Sequence, residues 1–129
     1  MVENRPGDHP IALPGGGWAP LNELRDLVSV TRGQKIGYVT DVADTPENRA
    51  AIAALVEGAD ILFIESCFAA ADVDHARARA HLTTDAAGEI GRAAAVRKLE
   101  PFHFSPRYEG EEERMLAEVA AAFAGADGA

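Results

Sequence analysis

The sequence predicts an α/β layered domain, and three observations carry that expectation. Strand-like and helix-like segments alternate from Lys35 to Phe123, the order expected of a sheet layered with helices. The run Asp60-Ile61-Leu62-Phe63-Ile64-Glu65 is continuously apolar between its ends, as in a central strand covered on both faces. Helix starts are marked by suitable caps, most clearly at Thr45-Pro46-Glu47: a threonine N-cap, proline at the first position, and an acid facing the positive end of the dipole.

In order along the chain, residues 1–17 hold Pro6-Gly7, Pro10 and Pro14-Gly15-Gly16-Gly17, so a flexible N-terminal segment is expected, with no element before Trp18. His9 falls there and reads as a tail residue. Trp18 to Val30 carries Leu21, Leu24, Leu27 and Val28 at helical spacing and predicts a short amphipathic helix with Pro20 or Asn22 near its start. Lys35 to Thr40 reads as a strand ending at Asp41. The helix opened by Thr45 buries Ile52, Leu55 and Val56 and stops at Gly58. Phe68 to Ala80 is alanine-rich and helical by expectation. Thr83 or Thr84 caps a further helix holding Ala86, Ala87, Ile90 and Ala94. Val96 to Phe104 is the last strand, and Glu111 to Phe123 a terminal helix with Met115, Leu116, Val119 and Phe123 on one side. Residues 18–124 thus form one expected domain, and 125–129 a disordered tail.

The 129 residues suffice for one modest core. No apolar run approaches the roughly 20 residues of a membrane span, and the polar N-terminus lacks a signal-peptide stretch. One cysteine, Cys67, cannot form an internal disulfide, which favours a reducing cytoplasm; it reads as a small packed residue. The formal net charge of −9 argues against a broad nucleic-acid footprint, while leaving room for a local phosphate site built on one or two arginines. Carboxylates crowd the middle of the chain, from Asp41 to Asp74, either as a solvated acidic surface or as part of a cation site.

Three segments place a metal-capable or proton-capable side chain just after an apolar run. Asp41 follows Tyr38-Val39-Thr40, where a carboxylate can ligate hard cations or can simply make an Asx-type turn with Asp44 nearby. His81 opens His81-Leu82-Thr83, and imidazole suits proton transfer near neutrality. His103 lies between two phenylalanines in His103-Phe104-Ser105-Pro106-Arg107-Tyr108, as a ligand or as a satisfied, partly buried residue. Arg107 carries a planar fork suited to phosphate. His75 has no motif partner and reads as an exposed helical residue.

Taken in order, these segments resemble the C-terminal half of a metallo-β-lactamase-fold hydrolase of the ribonuclease Z-like branch. Leu13-Pro14-Gly15-Gly16-Gly17-Trp18 is similar to that branch's linker, and the resemblance covers roughly residues 12 to 123. It implies half of an αββα sandwich, with Asp41 and His103 as metal ligands and His81 acting on the scissile phosphate or leaving group. It further implies Arg107 as the phosphate contact, with Glu65, Thr83 and Ser105 in support around them. Leucine stands at position 82 where the family commonly has serine. The family's His-x-His-x-Asp-His cluster and its next single histidine ligand have no counterpart in these residues, and its two-zinc site typically needs more ligands than Asp41 and His103 provide. The resemblance therefore implies a zinc-dependent phosphodiesterase or tRNA 3′-end endonuclease lacking its N-terminal histidine cluster, inactive alone. RNA or another phosphoester is the implied substrate, and small-molecule esters also fit the fold. The other reading is a non-catalytic half-domain that self-associates or binds protein. Expected partners are the missing N-terminal half or a homo-oligomer, and no membrane.

Overall fold

A computed structural model describes residues 10–12, 15–20 and 29–125. The chain divides into two compact units, Met1–Gly33 and Gln34–Ala129. In the first, strand β1 (Pro10–Ala12) pairs antiparallel with β2 (Trp18–Pro20), Ala12 opposite Trp18. Gly16 and Gly17 turn the chain between them with φ of +89° and +86°, left-handed values that glycine adopts without steric cost. Trp18–Pro20 is therefore strand, ahead of a helix whose start was expected near Pro20 or Asn22. The glycine turn folds these residues back onto Pro10–Ala12, which were expected to hold no element. The rest of the expected helix, residues 21–28, lies outside the described residues, as do His9 and the C-terminal residues 126–129.

The second unit contains β3 (Ile36–Val39), α1 (Pro46–Leu55), β4 (Ile61–Glu65), α2 (Val73–Arg79), α3 (Thr84–Ala93), β5 (Lys98–Phe102) and α4 (Glu112–Ala124). The three strands form a parallel sheet in the order β3-β4-β5, so the apolar run of β4 is central as expected. The caps act as predicted: Thr45 Oγ1 accepts from Asn48 N–H at 3.0 Å, and Thr83 Oγ1 from Ala86 N–H at 3.3 Å. The 68–80 segment is not one helix. Phe68 makes a parallel bridge to Thr83, and a 3-10 turn at Ala70–Asp72 precedes α2. The backbone N–H groups of Ala69 and Ala70 donate to Tyr108 Oη and Glu118 Oε1, side-chain partners that hold this stretch out of a regular helix.

Helices cover one face of the sheet. Val39, Leu62 and Ile64 point into a core with Ile52 and Val56 of α1 and Ala86, Ala87 and Ile90 of α3. Full burial of Leu62, Ile64 and Ile90 contributes roughly 1.5–3 kcal/mol each. Glycine lets α4 approach α3: a Cβ on Gly88 would sit 2.6 Å from both Ala122 Cβ and Val119 O. A second cluster of Cys67, Phe68, Ala69, Ala76, Tyr108 and Met115 lies at the C-terminal end of β4.

The other face of the sheet is different. Ile36 and Tyr38 are 60% and 66% exposed, Ile61 and Phe63 are half-buried, and Tyr38 stacks on Phe102 at 5.1 Å. The expectation that β4 is covered on both faces thus holds on one side only. The apolar character of Ile61 and Phe63 belongs to a two-sided strand, but the described residues supply one helical layer. Among the described residues the arrangement is one parallel sheet with one helical layer. No helix among the described residues is long and apolar enough to cross a membrane.

Candidate functional site

Parallel strands deliver their C-terminal ends to one edge, and the chemistry-bearing side chains collect there. Asp41 follows β3 by two residues, Glu65 closes β4, and His103 follows β5 directly. His81 comes to the same edge because residues 81–83 run beside the β4 extension, with Thr84 N–H donating to Phe68 O at 2.8 Å.

Glu65 is the centre of the arrangement. Its side chain is fully buried, and it accepts from Asp41 N–H at 2.5 Å, Leu82 N–H at 2.8 Å and His81 Nδ1 at 2.9 Å. Thr40 Oγ1 lies at 3.5 Å, and His103 Nδ1 at 3.6 Å. One carboxylate thus ties together the loops after β3 and α2. By engaging His81 Nδ1 it fixes the imidazole and leaves Nε2 for a proton or a ligand.

Donor atoms of Asp41, Glu65, His81 and His103 all lie within 4.8 Å of one another, and so do those of Cys67, His81 and His103. The rings of His81 and His103 meet edge to face at 5.4 Å. Asp41 and His103 both have left-handed backbone, with φ of +51° and +64°. Such conformations cost energy for residues with a Cβ and persist where surrounding structure fixes them. The Asp41 loop is so fixed: Arg49 pairs with both oxygens of Asp44 at 2.6 and 2.9 Å and with Glu89 at 2.7 Å, and Asn48 Nδ2 donates to Ala43 O. The hydrogen bond from Arg49 holds the Asp44 carboxyl below the usual range against the opposing effect of burial.

Of the residues singled out from sequence, Asp41, Glu65, His81 and His103 come together; Arg107, Thr83 and Ser105 stand outside that set. The Arg107 guanidinium lies over the Phe68 ring, 5.6 Å from its centroid. The same ring neighbours His81 and stacks with His75, both at 6.3 Å. Thr83 and Ser105 are occupied as caps, Ser105 Oγ accepting from Arg107 N–H at 3.4 Å. Tyr108 anchors this turn: its hydroxyl accepts from Ala69 N–H at 2.9 Å and donates to Asp72. Burial, and that donation to Asp72, push its pKa up. Glu118 accepts from Ala70 N–H and Thr84 Oγ1; burial raises its pKa, and these bonds together with Arg114 outweigh that and lower it.

Two residues beside the cluster were not picked out from sequence. Cys67, expected as a packing residue, sets its thiol among the histidines, where burial and the negative Glu65 raise its pKa. The signal is its place two residues past a strand end, which in isolation any packed cysteine shares. His75 is exposed, as expected, but it flanks Phe68.

No protein-family model matches the chain. It is 43% identical over 106 residues to ribonuclease Z of Thermobifida fusca, covering 80% of this chain and 31% of that protein. Against ribonuclease BN of Cronobacter sakazakii the identity is 37%, covering 76% and 32%. Among solved structures, human tRNase Z, short form, is 27% identical with a TM-score of 0.52, over 60% of this chain and 29% of that one. The metallo-β-lactamase fold protein YhfI of Bacillus subtilis is 19% identical with a TM-score of 0.60, over 92% and 48%, a likeness of fold alone. The chain thus spans about a third of the length of the curated relatives it matches. Over that third it is a ribonuclease Z-like polypeptide of metallo-β-lactamase fold.

Proposed function

We propose that the chain provides one part of a metal-dependent phosphodiesterase site of the tRNA 3′-end-processing kind, acting on RNA and completed by polypeptide outside these 129 residues. The observation that supports it is the convergence of Asp41, Glu65, His81 and His103 at the sheet edge. Two imidazoles and two carboxylates within 4.8 Å suit a borderline divalent cation such as zinc. Asp41 and His103 would hold it. When bound, the metal supplies Lewis acidity at a phosphoryl oxygen and an activated water.

The chain's own side chains do the rest. Glu65 fixes the His81 ring through Nδ1, so that Nε2 can hand a proton to the departing oxygen. Arg107 pairs with phosphate oxygens, its backbone set by the Ser105 cap and its guanidinium by Phe68. In this reading the general base and the remaining ligands come from outside the described residues. The single cysteine favours a reducing, cytoplasmic setting.

Isothermal titration of the metal-stripped chain with zinc tests this reading. Asp41→Asn and His103→Ala should each weaken binding at least tenfold, and the chain alone with zinc should not hydrolyse bis(p-nitrophenyl) phosphate. Zinc binding indifferent to both substitutions would overturn the ligand assignment; turnover would overturn the incompleteness.

The exposed Ile36 and Tyr38 favour a second reading, a half-domain that associates through its bare sheet face. Sedimentation velocity should then show a dimer that Tyr38→Lys dissociates. A monomer at all concentrations would end it.

A further inference from the structure

We propose that this chain alone holds a divalent metal in a thiolate–imidazole site formed by Cys67 Sγ, His81 and His103. The inference goes beyond the reading above, because it changes the donor set: a sulfur enters and Asp41 is no longer required.

Three observations carry it. Donor atoms of Cys67, His81 and His103 lie within 4.8 Å of one another. Tetrahedral zinc with bonds of about 2.0–2.3 Å brings such donors to roughly 3.3–3.7 Å apart, a contraction within reach of small side-chain rotations. The three residues come from separate segments, each fixed without the metal. Cys67 O accepts from Ser105 N–H at 2.9 Å, the ring of His81 is tethered by Glu65, and Ser66 N–H donates to Phe102 O at 2.9 Å, next to His103. Finally, Glu65 on His81 Nδ1 is the carboxylate–histidine pairing that commonly orients a metal-bound imidazole through its other nitrogen.

The chemistry of the set is selective. Hard cations such as magnesium prefer all-oxygen sites, whereas one thiolate with two imidazoles suits zinc or cobalt. Cys67 is buried beside Glu65. Binding replaces its proton: Cys67–SH and M2+ give the Cys67–S–M bond and release one H+, with no change of oxidation state. A fourth position remains for water. Metal bound in this way takes His81 out of any proton-donating role.

Cobalt(II) added to the metal-stripped full chain, under a phosphine reductant that does not itself bind metal, reads the site directly. One equivalent should give intense tetrahedral d–d bands and a near-ultraviolet thiolate-to-cobalt charge-transfer band, both abolished by excess zinc. Cys67→Ala should remove the charge-transfer band, His81→Ala and His103→Ala should each weaken cobalt binding tenfold or more, and Asp41→Asn should leave the band in place. Cobalt binding by the wild-type chain without a charge-transfer band, or no binding, would overturn the proposal whether or not the variants fold. So would a band that survives loss of both histidines. The Asp41 dependence of zinc binding decides the earlier reading separately, so either can fail alone.

Discussion

Replacing Glu65 by glutamine keeps the shape of the side chain and tests whether this carboxylate organises the site edge. Oε1 accepts from Asp41 N–H and Oε2 from Leu82 N–H. An amide has one oxygen, so in either flip its NH2 faces one of these backbone donors and leaves it orphaned in a site with no solvent access. Charge-assisted bonds of this kind contribute about 1.5–3 kcal/mol each, and the remaining bonds weaken when the charge goes. Relief of the buried charge offsets part of the loss. The balance is a destabilisation of about 2–4 kcal/mol, a large fraction of the 5–15 kcal/mol typical of a domain. In urea, with a slope of about 1–1.5 kcal/mol/M, the midpoint should fall by roughly 2 M at unchanged slope. Amide resonances of Asp41 and Leu82 should move together. A midpoint shift below about 0.5 M would refute the view that Glu65 is the structural hub of the edge.

Three further substitutions probe the surroundings. Gly88→Ala drives a methyl into Ala122 and the α4 backbone, so it should cost about 1–3 kcal/mol and lower the thermal midpoint; an unchanged midpoint would mean the helices can separate freely. Tyr108→Phe orphans the Ala69 N–H and frees Asp72, for a loss of about 1–3 kcal/mol by urea melts. The folded-state pKa of Asp44 is lowered, so its pairing with Arg49 stabilises above the unfolded value near 3.9 and is lost as pH falls through the folded one. The pair is partly exposed and is worth about 1 kcal/mol or less; Arg49→Gln should flatten the acid limb of stability below about pH 4 while barely changing stability at high salt.

What the sequence made legible was local. Thr45-Pro46 and Thr83 announce their helices because capping chemistry operates over three residues. Ile61–Glu65 reads as central because a strand between two neighbours is apolar throughout. The Trp18–Pro20 strand escaped the sequence reading because the glycines that fold Trp18 back onto Ala12 act through backbone handedness, which residue spacing does not show. At the site, Asp41, His81 and His103 stood out as motif positions, and Glu65 at a strand end as a supporting residue. The grip of Glu65 on two backbone amides 24 and 17 residues away has no sequence signature. Nor has the position of Cys67 between two histidines, which depends on how three chain segments meet.

The left-handed corners at Asp41 and His103 also bear on how this chain responds to selection. Glycine at either position would relieve roughly 1–2 kcal/mol of backbone strain. A library screened for heat resistance alone should therefore enrich glycine, or asparagine, at these two codons while silencing the edge they serve. A screen that also demands metal retention should hold both residues fixed and find its gains elsewhere, for example at Ala80 and Ala95, which share the same handedness and carry no donor atoms. The contrast between the two screens would separate positions kept for folding from positions kept for chemistry.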